Sequence, residues 1–126
     1  MSKGEEGRER LWWFPDGMIG TDESIKGFRV EASDGHVGKV SWASYAPGES
    51  YLVINLLHHL HEAHHVVPAG AVERISTGEA KVWLRLSRAQ VEAAPEHHDP
   101  PAPLDHSMVA ALESATATWG LGGDMY

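Results

Sequence analysis

Apolar residues recur at every second position in two separate stretches of this 126-residue sequence. Residues 28–32 alternate apolar with polar side chains, and Asp34-Gly35 follows them as a hairpin turn signal. Residues 82–86 repeat the alternation. Because successive side chains of a strand point to opposite faces, both stretches predict strands with one buried face and one wetter face.

Three further segments have the composition of strands. Residues 36–46 contain β-branched and aromatic side chains, and the turn residues Pro-Gly-Glu-Ser separate them from an apolar run at residues 51–57. Residues 64–67 predict a short extended segment, because the proline that follows disfavours helical backbone at the residue before it. The sequence therefore predicts a mainly β domain of several short strands with close turns, which is typical of a small barrel or sandwich.

Helical signals follow the last of these strands. Ser87 and Gln90 have the spacing of a capping box, which predicts a short helix at about residues 88–94. Residues 95–103 contain four prolines and predict a linker or an extended cover strand. Asp105 can cap a second helix, in which apolar side chains recur at helical spacing at Met108, Leu112, Ala115 and Trp119.

Taken in this order, the segments resemble the PRC-barrel domain family. The resemblance lies in IKGFRVEASDGHVGKV (Ile25 to Val40), VVPAGAVERI (Val66 to Ile75) and VWLRLSRAQVEAAPE (Val82 to Glu96). These are similar to the opening strand with its Asp-Gly turn, the proline step, and the last strand with its short helix. The resemblance implies a small PRC-type β-barrel with a short helix after the last barrel strand. With the C-terminal helix that the apolar spacing after Asp105 predicts, the expected fold is mainly β.

The resemblance also divides the chain and implies a role. It makes residues 25–96 the PRC-barrel domain. Residues 1–24 are then an N-terminal extension with an aromatic segment, and residues 97–126 are a proline-rich linker with a C-terminal helix or tail. PRC-barrel domains occur in photosynthetic reaction centre H subunits, in RimM-type ribosome maturation factors and in stand-alone bacterial proteins. The family implies assembly or protein binding and has no shared catalytic motif.

Charge and composition narrow the partners. Lysine and arginine total 10 against 18 aspartate and glutamate residues, a formal net charge of -8, which disfavours nucleic acid and anionic membranes. The chain has no cysteine, so a metal site would use histidine and carboxylate ligands. No apolar run approaches the roughly 18 residues of a membrane span, and we expect a cytoplasmic protein.

Five of the nine histidines lie within residues 58–65, where His61, Glu62 and His65 spell HExxH. On a helix this spacing is typical of zinc hydrolases, with both histidines as ligands and the glutamate as general base. A helix over residues 53–67 fits the apolar spacing but conflicts with the β-branched residues and the following proline. As two strands, the segment would place the motif at a hairpin tip, with His61 and Glu62 on opposite faces.

The histidines leave two interpretations besides a solvated polar loop. A hairpin tip could bring imidazoles together as ligands for zinc or nickel, and the candidate ligands are His58, His61, His64 and His65. Alternatively, protonation of all nine histidines would move the formal charge from -8 to +1 around their ordinary pKa of about 6.5, a response to pH.

We expect a non-enzymatic protein that binds another protein or its own copy and needs no cofactor. Aromatic residues are enriched in interfaces, and the candidate contact residues are Trp12, Trp13, Phe14 and Trp119. These rings could equally pack on their own barrel. The alternative is a histidine-based protein that binds a divalent metal, at the extreme a small metallohydrolase that uses His61, Glu62 and His65.

Overall fold

The structure of this protein is a computed structural model that describes residues 25–44, 49–56, 63–97, 99 and 103–119. The described residues form one sheet with the strands β1 (Arg29–Ala32), β2 (Gly35–Ser44), β3 (Tyr51–Leu56), β4 (His64–Pro68), β5 (Val72–Ser76) and β6 (Lys81–Leu84). A 3-10 turn, Ala69–Ala71, joins β4 to β5. Two helices follow the strands, α1 (Arg88–Glu92) and α2 (His106–Trp119).

The strand order across the sheet is β4-β3-β2-β1-β6-β5. Neighbouring strands are antiparallel except β1 and β6, which are parallel. The prediction of a mainly β fold with a helix near the C-terminus is therefore confirmed. The sheet is mixed, and over the described residues it is not closed into a barrel, because the end strands β4 and β5 do not pair with each other.

Strand β5 lies in a segment where the alternating pattern predicts no strand. Its register against β6 shifts between Val72 and Arg74, so Glu73 is an extra residue on the bulged strand. A bulge of this kind interrupts the period of two, and consecutive residues then share a wet environment, as Glu73 and Arg74 do here. The sequence pattern of β5 therefore differs from that of β1 and β6.

The turn between β1 and β2 also positions helix α1. Gly35 has a φ of 143°, which glycine adopts without the steric penalty of a Cβ atom. The carboxylate of Asp34 accepts a hydrogen bond of 2.8 Å from the backbone N–H of Arg88, the first residue of the helix. The predicted capping box is confirmed, since Gln90 N–H donates to Ser87 Oγ and Ser87 N–H donates to Gln90 Oε1.

The main core lies on one face of the sheet, which we call the inner face. Its members come from every strand and from the segment around α1, and the largest fully buried ones include Ile25, Leu52, Ile54, Leu84 and Leu86. Helix α1 contributes Val91, which is fully buried against this cluster. The described strands therefore share one main apolar core on the inner face.

Residues after α1 cover the edge of β4 that faces away from β3. The N–H of Val66 donates to the carbonyl of Pro95 at 2.9 Å, and the N–H of His97 donates to the carbonyl of His64 at 2.8 Å. The start of the proline-rich segment is thus an extended cover strand, which satisfies backbone groups that an edge strand would leave open. Helix α2 follows, and Asp105 Oδ1 caps it by accepting from Met108 N–H at 2.8 Å. Neither helix in the described ranges has the length and apolar character needed to cross a bilayer.

Candidate functional site

In the sequence, the histidine-rich motif follows strand β3 and ends inside strand β4. β3 and β4 are antiparallel, with Asn55 opposite His64, so a single helix over residues 53–67 is not formed. His65 lies inside strand β4, whereas a zinc hydrolase requires the second histidine of HExxH on a helix. His58 and His61 lie outside the described residues, as does Glu62.

The side chain of His65 is part of the interior. It is 6% exposed, and its Nδ1 lies 2.7 Å from the carbonyl oxygen of Ala94, just after helix α1. Because a carbonyl oxygen only accepts, Nδ1 must carry the proton in this contact. The imidazole therefore connects β4 to the segment that covers its edge.

His64 has a different partner on the other face of β4. Its Nδ1 lies 3.0 Å from Ser41 Oγ, and the same hydroxyl lies 3.1 Å from the carbonyl oxygen of Val53. The single hydroxyl proton goes to the carbonyl, which can only accept, so the serine oxygen accepts from the protonated Nδ1 of His64. Ser41 is the extra residue where the register of β2 against β3 shifts between Val40 and Trp42.

The two described members of the proposed metal set therefore point away from each other. Successive residues of a strand face opposite sides, and His64 and His65 make separate contacts on the two sides of β4. Within the described ranges, no three histidine or carboxylate side chains come close enough to hold a metal ion. Binding of zinc or nickel by the predicted set His58, His61, His64 and His65 stays a prediction.

The opposite face of the sheet, which we call the outer face, carries a second apolar cluster. Helix α2 lies over it, with Leu112 fully buried. We call the sheet side of this contact the helix-covered patch, and its members are Trp42, Tyr51, Val53 and Val66. The helix side adds the partly buried Leu104, Met108 and Val109. Where a sheet is apolar on both faces it needs a cover on each, and α2 covers this apolar part of the outer face.

Tyr51, a member of this patch, has a phenol with a perturbed pKa. Burial raises the pKa of the Tyr51 phenol above its ordinary value of 10.0, and the nearby Glu49 carboxylate raises it further. Both effects disfavour the phenolate, burial through lost hydration and Glu49 through like-charge repulsion. The Tyr51 phenol therefore stays neutral to a higher pH than an exposed tyrosine.

The predicted contact aromatics have separate locations. Trp119, the last residue of α2, is partly buried against the main core, so this ring is used within the chain. Trp12, Trp13 and Phe14 lie outside the described residues. Ser41, the partner of His64, was not singled out by the sequence, because only the pairing of β2 with β3 and β4 brings it there.

No protein-family model matches the chain. No curated protein matches it either.

Proposed function

We propose that this chain is a non-enzymatic protein-binding module of the PRC-barrel type, which binds a partner protein or a second copy of itself. The observation that carries the proposal is the helix-covered patch. The main core occupies the inner face, and the outer face holds a helix through a separate apolar cluster. A sheet face that docks one helix has the shape and chemistry to dock another.

The contact between α2 and the sheet is narrow. Leu112 and Thr116 are the buried residues of this fourteen-residue helix, and the other contacting side chains are half-exposed. Few buried side chains mean a modest free energy of docking, since apolar burial contributes about 25 cal/mol per Å². Exchange of α2 for the same helix of a second copy would bury the same surface again, which is the physical basis of domain swapping.

The histidines fit this proposal without chemistry of their own. His65 fastens the cover strand through Ala94, and His64 is fastened to the sheet through Ser41. Hydrogen bonds of this kind satisfy buried polar groups and keep strand positions unique. Of the two histidines in the HExxH sequence, His65 then has a structural role.

Self-association through α2 can be tested with the full-length chain. Two differently tagged copies are co-expressed, and their co-purification and mass are measured by affinity capture and light scattering. Leu112→Asp places a charge in the patch, whereas Ala111→Asp changes an exposed neighbour on the same helix. We expect Leu112→Asp, and not Ala111→Asp, to change the assembly state of the protein or its capture of a specific partner. A chain that stays monomeric and retains no partner in any of the three forms would overturn it.

A further inference from the structure

Three basic residues lie side by side on the outer face of the sheet, next to the helix-covered patch. Arg29 of β1 is paired with Lys39 of β2 on one side and with Lys81 of β6 on the other. We call these three residues the basic row. Adjacent strands are about 4.8 Å apart, so the three side chains start from neighbouring positions.

Alternation along the strands sets the direction of the basic row. The residue after each of its members is a valine of the main core, 0% exposed in β1, 2% in β2 and 0% in β6, at Val30, Val40 and Val82. Successive side chains point to opposite faces, so the three basic side chains point outward. Lys39 is exposed, and the side chain of Arg29 is 53% exposed.

Among the described residues, one carboxylate forms an ion pair with the basic row. Glu31 Oε2 lies 3.4 Å from a guanidinium nitrogen of Arg29 and 3.1 Å from Nδ1 of His36, so it is shared between two partners. In the described ranges, Lys39 and Lys81 have no carboxylate within ion-pair distance. Like charges on directly opposed strand positions destabilise a sheet. The basic row contains two such pairs, Arg29 with Lys39 and Arg29 with Lys81.

A guanidinium and an aromatic ring extend the surface. Arg74 of β5 stacks over the ring of Trp83 with 3.7 Å between the guanidinium carbon and the ring centroid. Trp83 is two residues beyond Lys81 on β6 and therefore on the same face. Arginine stacks favourably on aromatic faces, and arginine and aromatic residues are enriched in interfaces.

The concentration of positive charge contrasts with the chain as a whole, whose formal net charge is -8. A long polyanion such as nucleic acid would meet the whole acidic molecule. A short acidic segment interacts mainly with the charges close to it, because the Debye length at physiological ionic strength is about 8 Å. Charge complementarity therefore favours a peptide segment over nucleic acid.

We propose that the basic row docks an acidic segment of a partner protein, with carboxylates about one helical turn apart. Side chains three or four positions apart on a helix are separated by about 5–6 Å, close to the spacing of adjacent strands. Glutamates at successive turns of a helix can then face Lys39, Arg29 and Lys81 in order. The inference rests on the proposed protein-binding function and names the chemistry of the partner.

The test uses the full-length chain and a fluorescent synthetic helix with glutamates at four-residue intervals, followed by fluorescence anisotropy. A matched peptide carries glutamine at the same positions. We expect the glutamate peptide to bind about tenfold more tightly than the glutamine peptide, and the difference to shrink as salt screens the charges. Equal binding of the two peptides, or none, would overturn the inference.

Two variants with the same net charge separate the basic row from the charge of the whole protein. Lys39→Gln with Lys81→Gln removes two charges from the row. Arg88→Gln with Ala89→Glu makes the net charge equally more negative on helix α1, at two exposed residues. Glutamate-peptide affinity should fall about five- to tenfold in the first variant and stay within about twofold in the second. An equal loss in both would show that only the net charge matters.

Two further measurements keep this inference apart from the proposed function. Tighter binding of a single-stranded oligonucleotide of equal charge than of the glutamate peptide would identify a general polyanion surface and overturn the inference. Co-purification of tagged copies is measured again with the row variant. If self-association or partner capture persists while the glutamate peptide does not bind, the inference fails and the protein-binding function stands.

Discussion

The imidazole of His65 donates a 2.7 Å hydrogen bond from Nδ1 to the carbonyl oxygen of Ala94, 29 residues further along the chain. This contact fastens the segment after helix α1 to strand β4, where Pro95 and His97 continue the pairing through their backbones. The second histidine of the HExxH sequence is therefore committed to holding the sheet edge covered.

Removal of this imidazole should destabilise the fold. His65→Ala leaves a carbonyl without its donor at Ala94, a residue that is 4% exposed, and we expect a loss of about 1–3 kcal/mol in the free energy of unfolding. The control is His64→Ala, which removes a half-exposed side chain and should lower stability by about 0.5–1.5 kcal/mol. Chemical denaturation measures both. A smaller loss at His65 than at His64 would contradict the structural role.

A methyl group at Gly38 should be poorly tolerated. A Cβ atom there would overlap the backbone oxygen of Asn55 on the paired strand β3, so Gly38→Ala has to push the two strands apart. We expect a loss of about 1–3 kcal/mol by analogy with overpacked cores. Gly78→Ala is the matched control, because its Cβ would meet no atom within 4 Å. Similar denaturation midpoints for the two variants would show that β2 and β3 are farther apart than described.

Truncation of Leu112 should loosen helix α2. The side chain is fully buried between the helix and the helix-covered patch, and Leu112→Ala should remove about 2–5 kcal/mol where the cavity cannot collapse. If the helix detaches first, the apolar patch becomes exposed and binds a hydrophobic dye before global unfolding. Ala111→Ser, at an exposed position on the same helix, should do neither. Dye binding and denaturation curves that are unchanged in Leu112→Ala would exclude this packing.

Tyr51 should make the stability of the fold fall at alkaline pH. Its pKa is raised in the folded state, first by burial and then by Glu49, so the folded state disfavours the phenolate. The corresponding contribution is fully present below the unfolded pKa of about 10 and is lost as pH rises through the folded value. The melting temperature should therefore decline less steeply above about pH 10 in Tyr51→Phe than in the wild type. Parallel curves would contradict a raised pKa.

The metal hypothesis has a direct test. Under the proposed protein-binding function, we expect calorimetric titration with zinc or nickel to show no stoichiometric binding. His58→Ala with His61→Ala is the informative variant, because it avoids the structural contact of His65. Binding in a one-to-one ratio to the wild type that disappears in this variant would favour the histidine-based alternative over the protein-binding module.

Features that depend on neighbouring residues could be predicted from the sequence. The capping box of Ser87 and Gln90 and the cap at Asp105 form as expected, because each closes within three residues. The alternation at residues 28–32 and 82–86 located β1 and β6, since a period of two reports a half-buried strand directly. The bulged β5 was missed, because its extra residue breaks that period.

Relations between distant residues depended on the tertiary structure. Local patterns do not state which strands become neighbours, and strand order follows from how the apolar faces close around one core. The parallel pairing of β1 with β6 is what brings Lys81 beside Arg29 and creates the basic row. The same holds for the histidines. Their spacing can be read from the sequence, but the contacts of His64 and His65 on opposite faces of β4 form only once the strands have paired.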